Sequence, residues 1–410
     1  MFLCLFLGFF FYFLFYFKLT TSLLFIQSYR LEANLIKEIV GYILRNLSLT
    51  NSSVLEGLVG MDSRLAELGS LLSIGTNDIR IVGICGMGGI GKTTIAKAVY
   101  DRLSCQFEGS SYLANVREAS RKHGLEPLQE QLLSEILKES DMKIRNVDKG
   151  ISMTKNRLRH MRVLVFLDDV DQINQLETLV GKHDWFGLGS RIIITTRDEH
   201  LLTAFEVNHI YKAKELNNEE AVKLFSAKAF RKNQPTKGYV ALTDRVLHYA
   251  KGVPLALNVL GSFLFGRNIT EWRSALDRLK ESPIAQVLEI LKISYEGLEY
   301  TEKKIFLDIA CFFKGEDKDY VAKILDGCGF YPDIGISVLA QKSLITILKN
   351  KLLMHDLIQE MGWHIVREES LDEPGKCSRL WHHKDIYHAL MKNTVRDIVD
   401  NIIFSQYHLV

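Results

Sequence analysis

The chain has 410 residues, 47% of them hydrophobic and 24% charged, with 51 Lys+Arg against 49 Asp+Glu. So apolar a chain excludes general disorder, and at roughly 100–200 residues per domain its length predicts two to four domains. The near-balance of charge argues against a protein built to coat nucleic acid. Six scattered cysteines (Cys4, Cys85, Cys105, Cys311, Cys328, Cys377) form no CxxC pair, so they read as reduced thiols rather than zinc ligands or a disulfide framework.

Residues 1–17 carry no charge and eight of them are Phe. As a helix they would span about 26 Å, short of a ~30 Å hydrocarbon core, and running on past Lys18 to Ile26 makes the span long enough. No basic start and no clear small-residue cleavage site mark a secretory signal. Two readings stay open: a membrane anchor, and T-rich non-coding sequence translated ahead of the domain. The second is favoured, because the composition is ordinary from Tyr29 onward. The sequons at Asn46, Asn51 and Asn268 would count only in a secretory chain. The chain is expected in the cytoplasm, anchored at a membrane only if residues 1–26 are authentic.

Leu31, Leu35, Ile39, Ile43 and Leu47 are spaced for a linker helix within 28–57. Strands then alternate with helices over 58–215. Strands are expected at Ile79–Ile84, Tyr112–Val116, Arg162–Leu167, Arg191–Thr195 and His209–Ala213, and helices at Thr93–Leu103 and Pro127–Lys138. Alternation of this kind predicts an α/β fold with a parallel sheet covered on both faces. The strand signals stop after 215. Helices at Glu219–Phe230, Val240–Ala250 and Leu255–Phe265 define a small helical domain, 216–283, which Pro283 ends. Residues 284–375 read as helices, a hairpin of Leu344–Ile347 and Leu352–Met354 turning at Lys349-Asn350-Lys351, and a last helix from Leu357 to Arg367. That pattern suggests a winged helix, with 376–410 a truncated C-terminal segment.

Gly86-Met87-Gly88-Gly89-Ile90-Gly91-Lys92-Thr93 matches GxxxxGK[ST] between a strand and a helix. Glycines let backbone N–H groups approach phosphate oxygens, and Thr94 continues into a helix whose positive end faces the anion. Lys92 supplies a charge for the β/γ-phosphates, and the Thr93 hydroxyl can ligate Mg²⁺. The apolar run Val163–Leu167 ends in Asp168-Asp169. Asp168 is expected to hold Mg²⁺, mostly through water, and Asp169 to orient an attacking water. Asp stands at this second position where many ATPases have Glu, so strong hydrolysis is not expected. Thr195-Thr196-Arg197 ends the fourth strand, and Arg197 there can sense a γ-phosphate.

In order along residues 28–390, these elements resemble the NB-ARC domain of plant nucleotide-binding leucine-rich-repeat immune receptors. The P-loop, Leu167-Asp168-Asp169, Gly189-Ser190-Arg191 with Thr195-Thr196-Arg197, Gly252-Val253-Pro254-Leu255-Ala256-Leu257 and Met354-His355-Asp356 carry the likeness. Asp171, Phe306–Phe313 and Ser378-Arg379-Leu380-Trp381 look like the subclass with a TIR domain. The resemblance implies a P-loop NTPase domain followed by helical (ARC1) and winged-helix (ARC2) domains, an ADP-bound resting state and an ATP-bound active state. It implies that Val59 and Gly60 line the adenine pocket, that Pro254 and Leu255 pack beside the nucleotide, and that His355 reaches the β-phosphate. It implies partners among other receptor subunits or signalling proteins, with an oligomer when ATP is bound.

The family's TIR domain would precede residue 28 and its repeats would follow about residue 400, and neither is present in the sequence, so no NAD hydrolase activity carries over. Three other readings are weighed: a plain P-loop ATPase, a fragment that only binds intact receptors, and a DNA-binding winged helix. Residues 284–373 hold 10 Lys+Arg and 16 Asp+Glu, a poor surface for phosphodiesters, so no nucleic-acid partner is expected.

Overall fold

The computed structural model describes residues 58–139, 142–279, 285–370, 377–381, 386–387 and 391. The linker helix and the stop at Pro283 lie outside them, as does the hydrophobic start. Strands β1 (Arg80–Cys85), β2 (Gly109–Leu113), β3 (Val163–Val170), β4 (Arg191–Thr196) and β5 (His209–Lys212) form one parallel sheet in the order β2-β3-β4-β1-β5. β3 and β4 are apolar almost throughout because both sheet faces are covered. One face packs on helices Met61–Leu72 and Lys92–Leu103 through Leu68, Ile95 and Val99, with Phe166 on the sheet side. The other packs on helices that include Glu126–Leu137 and Val147–Leu158, through Leu132, Ile136 and Leu158.

Arg191 opens β4 yet is fully buried. It donates to the carbonyls of Leu72, Ser73, Thr76 and Asp78. A guanidinium is tolerated in the interior only when its donors are met. Arg191 therefore ties the loop ahead of β1 to the sheet, fixing the strand that delivers the phosphate loop.

The second strand differs from expectation. It runs over Gly109–Leu113, and Val116 instead starts the helix Val116–His123 after Asn115 at φ 49°. Gly109-Ser110-Ser111 has no apolar signature, but on this sheet edge the ladder to β3 supplies the pairing. Two helices without a clear periodic signal, Val147–Leu158 and Ile269–Arg278, complete the first two lobes.

The helical lobe is built on Asn218–Ala229, Val240–Ala250, Pro254–Leu264 and Ile269–Arg278. Trp272 centres it, stacked on Phe230, edge-on to Phe225 and Tyr239, with its indole N–H on the Leu264 carbonyl at 2.9 Å. The third lobe holds helices Ala285–Glu296, Tyr300–Asp308, Lys318–Gly327, Pro332–Gln341 and Asp356–Glu368 and the hairpin β6 (Thr346–Leu348) and β7 (Lys351–Leu353). Lys349 and Asn350 turn the hairpin with φ of 49° and 62°, as a two-residue turn between twisted strands requires. A π-helical turn at Ile309–Phe313 extends Tyr300–Asp308, and its Ala310 carbonyl accepts from both Gln359 (2.9 Å) and Trp363 (3.0 Å).

One apolar cluster runs from Met87 and Ile90 of the phosphate loop through both helical lobes to Cys377. The three lobes are thus joined by a continuous core. Residues 377–381 also belong to the third lobe: Arg379 Nε meets the buried Asp308 carboxylate at 2.6 Å, and Trp381 stacks on Trp363. No helix among the described residues is long and apolar enough to cross a membrane.

Candidate nucleotide site

The phosphate loop leaves β1 after Cys85 and enters the helix at Lys92. Its glycines answer to close neighbours. A Cβ at Gly89, where φ is 79°, would come within 2.8 Å of Leu255, and one at Gly88 within 2.8 Å of the Arg197 guanidinium. The helix start leaves N–H groups unpaired and aligned, an anion site by construction. Lys92 is buried, with Nζ donating to the Gly86 carbonyl at 2.7 Å and the Met87 carbonyl at 2.9 Å. Burial, and next the nearby Arg197 charge, pull its pKa down to about 7.

Thr93 Oγ1 donates to Asp168 Oδ1 at 2.8 Å, joining the loop to the end of β3. Asp168 is 2% exposed. Asp169 next to it adopts φ 54° and lies between Arg117 (2.8 Å) and Arg197 (3.4 Å). Burial alone would raise its pKa, but the two guanidinium groups outweigh it and hold the carboxyl below the usual range. Each carboxylate oxygen is thus engaged by one arginine. Arg197 Nη1 donates to the Ile290 carbonyl of the third lobe at 2.7 Å. Thr196 is fully buried and its hydroxyl donates to the Val170 carbonyl at 2.7 Å.

The helical lobe meets the loop through Pro254 and Leu255. Leu255 N donates to the Gly89 carbonyl at 3.2 Å, and Pro254 lies against Gly91. Pro254 suits the first helical position, where its missing N–H costs nothing. Gly252 before it takes φ 77°, and its carbonyl accepts from Leu216 at 2.9 Å. Gly60 is tied to this lobe. Arg64 Nη1 donates to the Gly60 carbonyl at 2.5 Å and pairs with Glu220 at 3.2 Å.

His355 caps the helix Asp356–Glu368, its Nδ1 accepting from Leu357 N at 3.2 Å. Asp356 instead pairs with Lys314 at 2.5 Å and Lys251 at 2.7 Å. An accepting Nδ1 places the proton of a neutral imidazole on Nε2. Burial favours that neutral form by lowering the pKa. Nε2 is buried, and although the Lys251 carbonyl lies near it, it makes no well-formed hydrogen bond. The ring lines a cleft of about 620 Å³ shared with Gly86, Met87 and Glu215.

The sequence reading gave no role to two polar residues at the site, Arg117 and Thr195. Thr195 is 1% exposed and its hydroxyl donates to Asp168 Oδ1 at 2.7 Å. The available signal was a Thr closing the apolar run Ile192-Ile193-Ile194 on the strand beside β3.

A parallel sheet ending in this loop, with an acidic strand end beside it and two helical lobes folded onto it, defines a P-loop nucleotide-binding protein. Residues 63–235 match the NB-ARC domain, and residues 299–370 the winged-helix domain of Roq1-like disease resistance proteins. The chain thus carries an NB-ARC domain followed by a winged-helix domain of the kind found in Roq1-like disease resistance proteins, and its relatives are plant disease resistance proteins. It is 50% identical over 360 residues to disease resistance protein RUN1 of Vitis rotundifolia, covering 88% of this chain and 27% of that one. Against TMV resistance protein N of Nicotiana glutinosa it is 43% identical over 384 residues, covering 92% and 33%. It thus spans about a quarter to a third of these relatives. Among solved structures, a Walker-type ATPase of Pyrococcus abyssi shares the fold, with a TM-score of 0.50 at 13% identity over 75% of this chain and 96% of that one.

Proposed function

We propose that this chain is the nucleotide-operated switch of a plant immune receptor, held closed by ADP and released by ATP. The observation that carries the reading is His355. Its ring lines a cleft that begins at the phosphate loop, and its buried Nε2–H makes no well-formed hydrogen bond, with only the Lys251 carbonyl nearby. A buried donor left unmet costs about 1–3 kcal/mol, and a phosphate oxygen is the acceptor that chemistry supplies at a P-loop. ADP would then touch the loop through Lys92 and the third lobe through His355, with Pro254 and Leu255 closing over it and Val59 and Gly60 at its base.

A third phosphate would add charge beside Arg197, whose guanidinium packs against Gly88. Competition for that arginine weakens its bond to Ile290 and so loosens the third lobe. Taking the balance from 1:99 to 99:1 needs ~5.5 kcal/mol of differential affinity. Arg197–Ile290, Lys342–Asp198 at 2.9 Å and Leu255–Gly89 are lobe contacts of the closed form. A few such contacts are of that order together.

For magnesium the donor set fits. Thr93 spends its proton on Asp168 and keeps lone pairs, and Asp168 adds a carboxylate. Among the described residues no cluster of three His, Cys, Asp or Glu exists, which suits an ion that keeps its waters. Bound there, Mg²⁺ would neutralise charge on the phosphates. In this reading the domains are 58–215, 216–283 and 284–375, the chain works in the cytoplasm, and receptor subunits or signalling proteins are its partners, with assembly following ATP binding. Any ATP hydrolysis is slow, with Asp169 orienting the water.

The test is to purify the chain and identify what accompanies it by native mass spectrometry. ADP is expected at one per chain. A chain that emerges empty, and whose melting temperature ignores millimolar ADP and ATP, overturns the reading.

A further inference from the structure

We propose that Thr195 is the positioning residue of the magnesium carboxylate, a role set by a bulge in the sheet; the proposal rests on the nucleotide reading above. β3 and β4 pair Leu167 with Ile194 and then Val170 with Thr196, so Asp168 and Asp169 together face the single residue Thr195. A bulge of this kind breaks the ladder and re-aims the side chains beside it. Here the bulged strand carries both acidic residues, and Asp169 takes its left-handed φ of 54° within it.

Thr195 mends the break with its side chain. Its hydroxyl oxygen accepts from the Asp169 N–H at 2.8 Å, replacing a lost ladder bond. The same hydroxyl donates to Asp168 Oδ1 at 2.7 Å. A hydroxyl has one proton, and the amide facing its oxygen leaves that proton to the carboxylate. β-Branching stiffens the side chain, and at 1% exposure no bulk water competes. With Thr93 also on Oδ1 at 2.8 Å, two hydroxyls fix the plane of the carboxylate. No hydrogen bond among the described residues uses Oδ2. Thr195 therefore orients Asp168 toward a cation and leaves one oxygen free for it or its water, without touching either.

The experiment measures binding of the non-hydrolysable analogue AMP-PNP by the full chain, with EDTA and across a Mg²⁺ titration. Partners that orient metal ligands typically contribute about 10–100-fold to metal affinity. Thr195→Val should therefore raise the Mg²⁺ concentration for half-maximal enhancement at least about tenfold, while affinity in EDTA stays within about twofold of the parent. Thr195→Ser, which keeps the hydroxyl, should match the parent within about threefold. Thr195→Cys, a weaker donor, should fall between the two. The Ser and Cys pair decides the matter should the Val variant not fold. A Val or Cys variant with lowered melting temperature but an unshifted Mg²⁺ midpoint shows a purely structural threonine and overturns the proposal. Equal losses in EDTA and Mg²⁺ do the same. A parent chain that binds no AMP-PNP sinks the nucleotide reading itself; one that binds it without any effect of Mg²⁺ sinks only the role of Thr195.

Discussion

Arg197 and Ile290 sit in different lobes, yet the arginine's Nη1 donates to the isoleucine's carbonyl at 2.7 Å while its Nε reaches Asp169. The guanidinium is one bridge by which the nucleotide-binding sheet grips the third lobe, beside Lys342–Asp198. Hydrogen bonds from a charged donor are each worth about 1.5–3 kcal/mol. Arg197→Ala should therefore open the ADP-bound chain, seen as a larger radius of gyration by small-angle scattering. An unchanged profile would count against the bridge.

Lys92→Ala should remove the stabilisation that ADP confers. At 100 times its dissociation constant a ligand adds ~2.7 kcal/mol to the folded state. The variant's melting temperature should be flat across an ADP titration that raises the parent's. A shift equal to the parent's refutes the site.

The lowered pKa of Lys92 gives ADP binding a pH dependence. In the free protein Lys92 loses its proton near pH 7, against an ordinary value of 10.5. A bound phosphate stabilises the ammonium and raises that pKa again, so binding above about pH 7 takes up a proton. Affinity should be level below pH 7 and fall by up to about tenfold per unit above it. For the free chain the sign is opposite: the unfolded state holds the extra proton between 7 and 10.5, so stability rises with pH in that window. Calorimetry at pH 8 in buffers of different ionisation enthalpy should report uptake of close to one proton. No uptake would place Lys92 away from the phosphates.

Asp356 joins Lys251 of the helical lobe to Lys314 of the third. Asp356→Val removes the carboxylate from both ammonium groups at the foot of the helix that His355 caps, leaving Lys314 only the Gln359 amide oxygen. One charge-assisted bond, screened at this half-exposed position, is worth about 1.5 kcal/mol, so ADP should leave about tenfold faster. Release of a fluorescent ADP analogue no faster than from the parent rejects the role given to this junction.

Arg379 meets Asp308 with both side chains at most 10% exposed, and it also donates to the Lys304 carbonyl at 2.9 Å. Burial raises the Asp308 pKa, and Arg379 opposes that rise. Removing one partner of such a pair strands a buried charge at a cost of about 3–5 kcal/mol. Arg379→Ala should destabilise the chain by that much in urea, and Arg379→Ala with Asp308→Leu by clearly less. Equal losses would show that the pair itself is not the cause.

The sheet and the loop were legible because both are local signals. Val163–Leu167 and Ile192–Ile194 are short apolar runs, rich in β-branched residues, that read as buried strands, and GxxxxGKT is a spacing rule. The strand at Gly109–Leu113 was misplaced by three residues, since its pairing with β3 outweighs its weak propensity. The helix Val147–Leu158 was hidden because it buries Gly150 and Thr154 rather than an apolar stripe; Gly150 lets Gln129 approach where a Cβ would clash. Thr195 was hidden because its work depends on a register shift between two strands. Arg191 read as one residue of a motif and proved to be a buried tether. The place of His355 beside the loop came from family likeness, as a separation of more than 260 residues carries no local signal.

The π turn at Ile309–Phe313 carries a last consequence. Deleting one residue there would let the segment continue as an ordinary α-helix, and by propensity alone the change looks harmless. It would also rotate everything beyond it by about 100°. Ala310 would then turn its carbonyl away from the amide of Gln359 and the indole of Trp363, two donors on the helix that His355 begins. The irregular turn thus keeps the reading frame, in the geometric sense, between the third lobe's scaffold and the histidine it presents.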